Sequence, residues 1–470
     1  MRQILSLALA ATLLTVASVQ AKPKPAPTPP ARPDPVATAT ALRDKALSDA
    51  TGMTVLESLT SEIGPRPAGS PAAERARDWG IAKLKSLGFT NVHAEPFAKP
   101  SWQRGEESAE ITAPYPFKLT ILGLGGTIAT PAGGVEGDIV VFHTIAELRA
   151  APDGSLAGKI VVLNMPMVRT QDGSGYGVAV QSRYLGSTVA RKGGVAYLLR
   201  SVSTSQSRQP HTGATRYDAG GPQVPVAALG VPDADLLDRL STRGPVHVRL
   251  RLANTLHADT MAWNVVGDIV GSEKPDEVIV IGGHLDSWDP GTGAIDDGAG
   301  VAITTAAATL IGQLPRHPRR TVRVVMWGSE ETGGAGEAFY AAHKDELGKI
   351  VVAGESDLGS DDIYSLQVPK GSYSNPVMMQ AAAILAPLKI MTISEAAKNA
   401  GSDVEEIEGA GAPVFSLNQD ASRYFDLHHS ADDTLEAVDP VKFNRNVAAW
   451  AALVYLIADS DIDFRALGAK

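Results

Sequence analysis

His284-Leu285-Asp286, Asp296-Asp297-Gly298, Glu330-Glu331, Glu355-Ser356-Asp357 and His428-His429 succeed one another along the chain. Each offers imidazole or carboxylate, the groups that hold metal ions and carry protons. None of the 470 residues is cysteine, so any metal must be bound through nitrogen and oxygen. That donor set suits zinc and also permits manganese or cobalt. Singly, each motif has an ordinary reading. A His-x-Asp is often a histidine with a hydrogen-bond partner, an Asp pair ahead of an apolar run starts a helix, and a Glu pair is commonly a solvated charge. The His428 to Thr434 segment could be a polar loop. Together, and in this order, they read as a metal site. Five ligands are too many for one tetrahedral zinc but fit two ions that share a carboxylate. Two ions roughly 3.5–4 Å apart clamp a nucleophile and lower the pKa of bound water. Glu330, beside a ligand yet free, supplies the general base such a reaction needs.

The elements around these motifs explain how they could meet. Glu277 to Ile281 is a buried-strand run that ends just before His284. Thr321 to Met326 is a second, leading to Glu330-Glu331, and Ile350-Val351-Val352 a third, leading to Asp357. In open parallel sheets, ligands bind beyond the carboxyl ends of the strands, so three strands deliver their groups to one crevice. From Asn264 onward strands alternate with helix-length segments, the mark of an α/β fold. The expected architecture has three layers, a mixed and mostly parallel sheet flanked by helices. Ser70 to Leu87 reads as a helix, with Ser70 as N-cap, Pro71 opening it and Gly88 closing it. Residues 115–257 have a different texture, with short β-rich runs at Asp138 to Phe142, Lys159 to Leu163 and Val195 to Leu199 between Gly and Pro turns. They are expected to form an inserted domain, with residues 41–114 and 258–470 making the α/β domain.

The motifs resemble those of the zinc exopeptidases that include bacterial leucyl aminopeptidases and plasma glutamate carboxypeptidase. The resemblance is carried by His284-Leu285-Asp286, Gly293-Ala294-Ile295-Asp296-Asp297-Gly298, Ser329-Glu330-Glu331-Thr332-Gly333, Glu355-Ser356-Asp357 and His429-Ser430 with Asp433-Thr434. It implies two zinc ions bridged by Asp296, one completed by His284 and Asp357, the other by Glu331 and His429. Glu330 would then be the general base and Asp286 the partner of His284. The same motif makes His429, not His428, the ligand, since it directly precedes Ser430. Asp296 follows His284 closely and runs straight into Asp297-Gly298, unlike a related family that places the bridging Asp much further on. Gly137 to Val141, Gly158 to Val161 and Ala190 to Val195 look like a protease-associated domain, the usual insert. His211-Thr212-Gly213, Tyr217, Val224 to Ala228 and Tyr424-Phe425 are similar to the carboxypeptidase Q branch.

The resemblance implies hydrolysis of short peptides or dipeptides with a free N-terminus. Asp403, Asp420 and Tyr424 lie where this family lines its pocket, and a carboxylate there could hold a substrate ammonium. Arg423 is the candidate for gripping a C-terminal carboxylate, which would make the enzyme a carboxypeptidase. A binding protein that keeps the scaffold without catalysis, or an amidohydrolase or glutaminyl cyclase on the same metals, are further alternatives. Family members often pair, so a homodimer is a possible assembly.

The start of the chain bears on location. Arg2, the apolar run Leu5 to Ala17 and Val19-Gln20-Ala21 have the layout of a secretory signal, residues 1–21. That run is too short to span a bilayer, and no later segment is expected to be apolar enough to do so. Residues 22–40 are rich in Pro and Ala and read as an extended tether. The expected destination is the periplasm or the exterior. A net charge of −10 argues against a nucleic-acid partner, because no basic stripe is present to replace counterions.

Overall fold

A computed structural model describes residues 32–398 and 400–469. The expected signal sequence and residues 22–31 of the expected tether lie outside the described residues. The tether does not extend to residue 40. Pro35–Ala46 is a helix, opened by its proline and buried through Ala39, Leu42 and Ala46. It packs on the long helix Pro440–Asp459. Small alanines let the two helices approach closely, and burying Leu42 contributes about 1.5–3 kcal/mol. A composition poor in large apolar residues therefore concealed a docked helix.

The first sheet has five strands in the order Thr90–Ala98, Met261–Ile269, Arg320–Trp327, Lys274–His284 and Ile350–Glu355. The first two pairings are antiparallel and the last two parallel. The parallel half is the half that matters for chemistry. Its register sets His284 beside Trp327 and Gly282 beside Glu355, so the chain leaves all three strands at the same edge. Helix Ala299–Gly312 packs on this sheet and is buried along nearly its whole length. Residues 294–312 are long and apolar enough to cross a membrane by composition, which corrects the expectation that no such segment exists. Their most apolar window is entirely enclosed in the core, as the central helix of a folded domain must be. Helix Pro71–Ser86 forms as expected, with the Ser70 hydroxyl accepting from Ala73 N at 3.2 Å. Gly88 follows its end at φ +90, a backbone angle that favours glycine.

The middle of the chain makes a separate eight-stranded sheet with its own apolar clusters. Its limits differ from those expected. Strand Glu107–Ala113 lies in it, paired antiparallel with His247–Leu252, so the region begins before Glu107 and its last strand ends at Leu252. The alternation of buried Ala109 and Ile111 with less buried neighbours is the period-2 pattern of a half-buried strand. A two-stranded ribbon, Ser101–Gln103 with Thr255–His257, joins this region to the first sheet. The strand runs at Val135–Phe142, Ile160–Leu163 and Ala196–Arg200 pair in parallel.

Candidate metal centre

The three parallel strands place their terminal groups around Asp296. One carboxylate oxygen of Asp296 lies 3.1 Å from His284 Nε2, and that nitrogen is 3.5 Å from Asp357 Oδ1. The other oxygen lies 3.1 Å from His429 Nε2, which is 2.8 Å from Glu331 Oε2. Asp296 thus stands between two His-carboxylate pairs, one on each side. His284, Asp296 and His429 are buried; Glu331 and Asp357 are half-buried.

Hydrogen bonds give the two adjacent aspartates separate roles. Asp296 and Asp297 both depart from helical angles inside the short turn Ala294–Gly298. Asp297 turns back: its Oδ1 accepts from Gly300 N at 2.9 Å and its Oδ2 from His284 N at 3.0 Å. It caps the helix and braces the His284 strand, the ordinary reading of an Asp pair, while Asp296 is left free for the cluster. Asp433 Oδ1 accepts from Ile295 N at 2.6 Å and fixes the same loop. Arg66, fully buried, donates to the carbonyls of Leu285, Thr292 and Gly293, tying the His284 and Asp296 loops together. Nothing in the spacing of the sequence pointed to Arg66.

Each histidine is oriented by its far nitrogen. His284 Nδ1 is 3.0 Å from the backbone carbonyl of Asp286, and His429 Nδ1 is 3.2 Å from that of Thr212. A ring nitrogen facing a carbonyl must donate, so in the neutral ring that binds a metal the lone pair is on Nε2, toward Asp296. The expected partnership of Asp286 with His284 therefore runs chiefly through its main chain. Its carboxylate is 3.6 Å from the ring and accepts from Glu330 N at 2.9 Å. Thr212 N also donates to His429 O at 2.9 Å, and His211 Nδ1 to His428 O at 2.5 Å. Two residues of the loop between strands Ala196–Arg200 and Val226–Leu229 of the second sheet thus clamp the histidine pair, and His429 is held at φ +62, a conformation that costs a non-glycine residue about 1–3 kcal/mol. His428 stacks on His429 with ring centres 3.5 Å apart and reaches Asp296 only at 3.5 Å.

The electrostatics are those of crowded buried acids. Burial, then the charge of Asp357, pushes Glu330 up to about 8. Burial and Asp296 push Glu331 up to about 7 against the pull of His429. Burial also raises Asp296, but His428, His284 and His429 together hold it well below the usual carboxylate range. Burial depresses His429, yet Glu331 and Asp296 lift it to about 9. Asp296 Oδ2 and Glu331 Oε1 are buried with no hydrogen bond. Buried carboxylate oxygens left without hydrogen bonds beside two imidazoles fit a bound dication, the donor set being the one zinc takes.

The expected substrate-binding residues are placed differently. Tyr424 is in the cluster itself, its hydroxyl donating to Asp296 Oδ1 at 2.8 Å. Asp403 is buried and braces other elements, accepting from Gly336 N and donating its own N–H to Glu355 Oε2. Asp420 accepts from Ser422 N and Gln171, and neither it nor Asp403 lines the large cavity beside Asp357. Arg423 is half exposed, its nearest carboxylate Asp361 at 3.7 Å. The cavity is lined instead by Asp172, Glu355, Asp357 and Glu405, of which Glu355 stands in the sequence as a close neighbour of Asp357.

The pattern of peptidase family M28 matches residues 264–454. Carboxypeptidase Q of Bos taurus is 38% identical over 405 residues, covering 85% of this chain and 84% of the relative. A crystal structure of a peptidase M28 precursor from Shewanella amazonensis is 42% identical, covers 91% of this chain and 98% of its own, and superposes with a TM-score of 0.89. A zinc aminopeptidase from Bacillus subtilis shares the fold, with a TM-score of 0.63 at 17% identity, covering 87% of this chain and 95% of its own. With relatives this similar over most of their length, and a cluster of buried imidazoles and carboxylates at the strand ends, the chain belongs to peptidase family M28 and is a metallopeptidase.

Proposed function

We propose that the protein is an exported exopeptidase that removes the N-terminal residue of dipeptides or short peptides and uses two zinc ions. The observation that carries the reading is the position of Asp296, with a His-carboxylate pair facing each of its oxygens. His284 and Asp357 would hold one ion, Glu331 and His429 the other, and Asp296 both. The ions, when bound, supply Lewis acidity and an activated water. The chain's own part is to hold these groups rigid and to move a proton. Glu330 follows a strand end, its main chain fixed by Asp286, and its carboxyl is free of any metal duty. It takes the proton of the attacking water and delivers it to the leaving amine.

Preference for a free N-terminus is supported by the charge around the cluster. The cavity beside Asp357 is lined by several acids and, among its lining residues, by no Lys or Arg. Such a surface favours the ammonium end of a peptide. A second reading, release of C-terminal residues, draws on Arg183, which is buried next to Tyr176 with Nε and Nη2 lacking hydrogen bonds. Export is inferred from Arg2, the apolar run and Val19-Gln20-Ala21, and the second sheet is read as a protease-associated domain. Zinc-loaded protein should hydrolyse free dipeptides and leave N-acetylated ones intact. Release of C-terminal residues from N-acetylated peptides, with free dipeptides untouched, would favour the second reading instead.

A further inference from the structure

We infer that the cavity beside Asp357 is a side-chain pocket for a basic residue, so that peptides beginning with lysine or arginine are the preferred substrates. The inference rests on the proposed free-amine exopeptidase reading and adds to it the identity of the residue removed. The cavity has a volume of about 440 Å³, within the range of about 300–1,000 Å³ typical of small-molecule sites. It opens on the reacting groups at two points. Asp357 lines it directly, and Ser402, also on its wall, interacts with the Glu330 carboxyl. A residue whose scissile bond lies at the cluster would extend its side chain here.

The walls suit a long cationic side chain. Leu358 and Leu417 supply apolar surface along which a lysine or arginine stem can lie while its head stays polar. Asp172, Glu355 and Glu405 supply carboxylates. Asp172 is held below the usual carboxylate range, chiefly by the Ser174 hydroxyl, and it arrives from the second sheet's region, so both parts of the protein build the pocket. Acidic residues in a cleft are common, and Glu355 is what points to a ligand. It is only 6% exposed, its Oε2 accepts from Asp403 N at 2.9 Å, and its Oε1 has no hydrogen-bond partner. Gly401 packs so tightly over it that a Cβ there would lie 2.1 Å from Glu355 Oε2, and the backbone at φ +128 is one that glycine alone adopts freely. The chain thus holds a buried carboxylate against the cavity with one oxygen unsatisfied. A buried acceptor left unpaired is costly, and an ammonium or guanidinium would satisfy it.

The test compares kcat/KM of the zinc-loaded protein for Lys-Ala, Arg-Ala and Nle-Ala, norleucine being lysine without its charged head. Lys-Ala and Arg-Ala should exceed Nle-Ala by about tenfold or more, the worth of a hydrogen bond to a charged group. Glu355→Gln should collapse that ratio. Because Glu355 is buried, Glu405→Gln at the exposed rim provides an independent check and should lower the ratio at least severalfold. Glu405→Lys should bring the ratio below that of Glu405→Gln. Equal rates on Lys-Ala and Nle-Ala, or a ratio unmoved by either neutral variant, would overturn the pocket while leaving the exopeptidase reading intact. Failure to cleave all three dipeptides, with C-terminal release from N-acetylated peptides, would instead overturn the reading beneath it.

Discussion

The Tyr424 hydroxyl donates to Asp296 Oδ1 at 2.8 Å, the same oxygen that faces His284 Nε2 at 3.1 Å. The tyrosine therefore positions the one carboxylate common to both halves of the cluster. Its ring is held by Phe425 and His428, so Tyr424→Phe should fold normally. Outer partners of metal ligands are typically worth about 10–100-fold in metal affinity, and a loss of that order is expected. Competition titration with a chromophoric chelator measures it, and an unchanged affinity would show that the hydroxyl does not position Asp296.

Glu330→Gln removes the proposed base but no proposed ligand. Turnover should fall by about 10²–10⁴-fold, the usual contribution of general acid–base catalysis. Metal content should match the wild type. Near-normal turnover would remove Glu330 from the mechanism.

The two adjacent histidines can be told apart by metal stoichiometry. His429 is 2.8 Å from Glu331 and 3.1 Å from Asp296, whereas His428 is 3.5 Å from Asp296. His429→Ala should lose one ion per chain, and His428→Ala should retain both. The opposite pattern in plasma emission spectroscopy would exchange their roles.

Arg66 holds carbonyls of the His284 and Asp296 loops together from a fully buried position. Arg66→Met fills the space but leaves those carbonyls unsatisfied, at about 1–3 kcal/mol for each group. Unfolding in urea should show a loss of about 3 kcal/mol or more. A loss below 1 kcal/mol would mean that the loops hold their geometry without it.

Much of this was legible in the sequence, for physical reasons that differ by residue. His284, Glu331 and Asp357 could be placed because each follows an apolar strand, and strand ends of a parallel sheet converge. Residue type alone does not separate Asp296 from Asp297, since an Asp pair before a helix serves as cap or ligand equally well; the resemblance singles out Asp296, and the bonds from Gly300 N and His284 N to the Asp297 carboxylate give Asp297 the other task. Arg66 and Arg183 lie far from the motifs in sequence and reach the site by folding, so no local spacing marks them; His211 was marked only by resemblance, without a role. Residues 35–40, the first half of the Pro35–Ala46 helix, were misread because alanine signals neither tether nor docked helix until its partner is known. The limit of the second sheet was missed at Glu107–Ala113, where a short alternating run precedes the change of texture.

Metal content and its link to activity test the two-metal assignment most directly. Protein purified with zinc should carry two ions per chain, lose dipeptide hydrolysis on exhaustive chelation, and regain it as zinc is returned to two equivalents. Asp296→Asn should bind poorly at both positions. Full activity in protein stripped of metal, or a single ion per chain unaffected by Asp296→Asn, would contradict a centre built on that shared carboxylate.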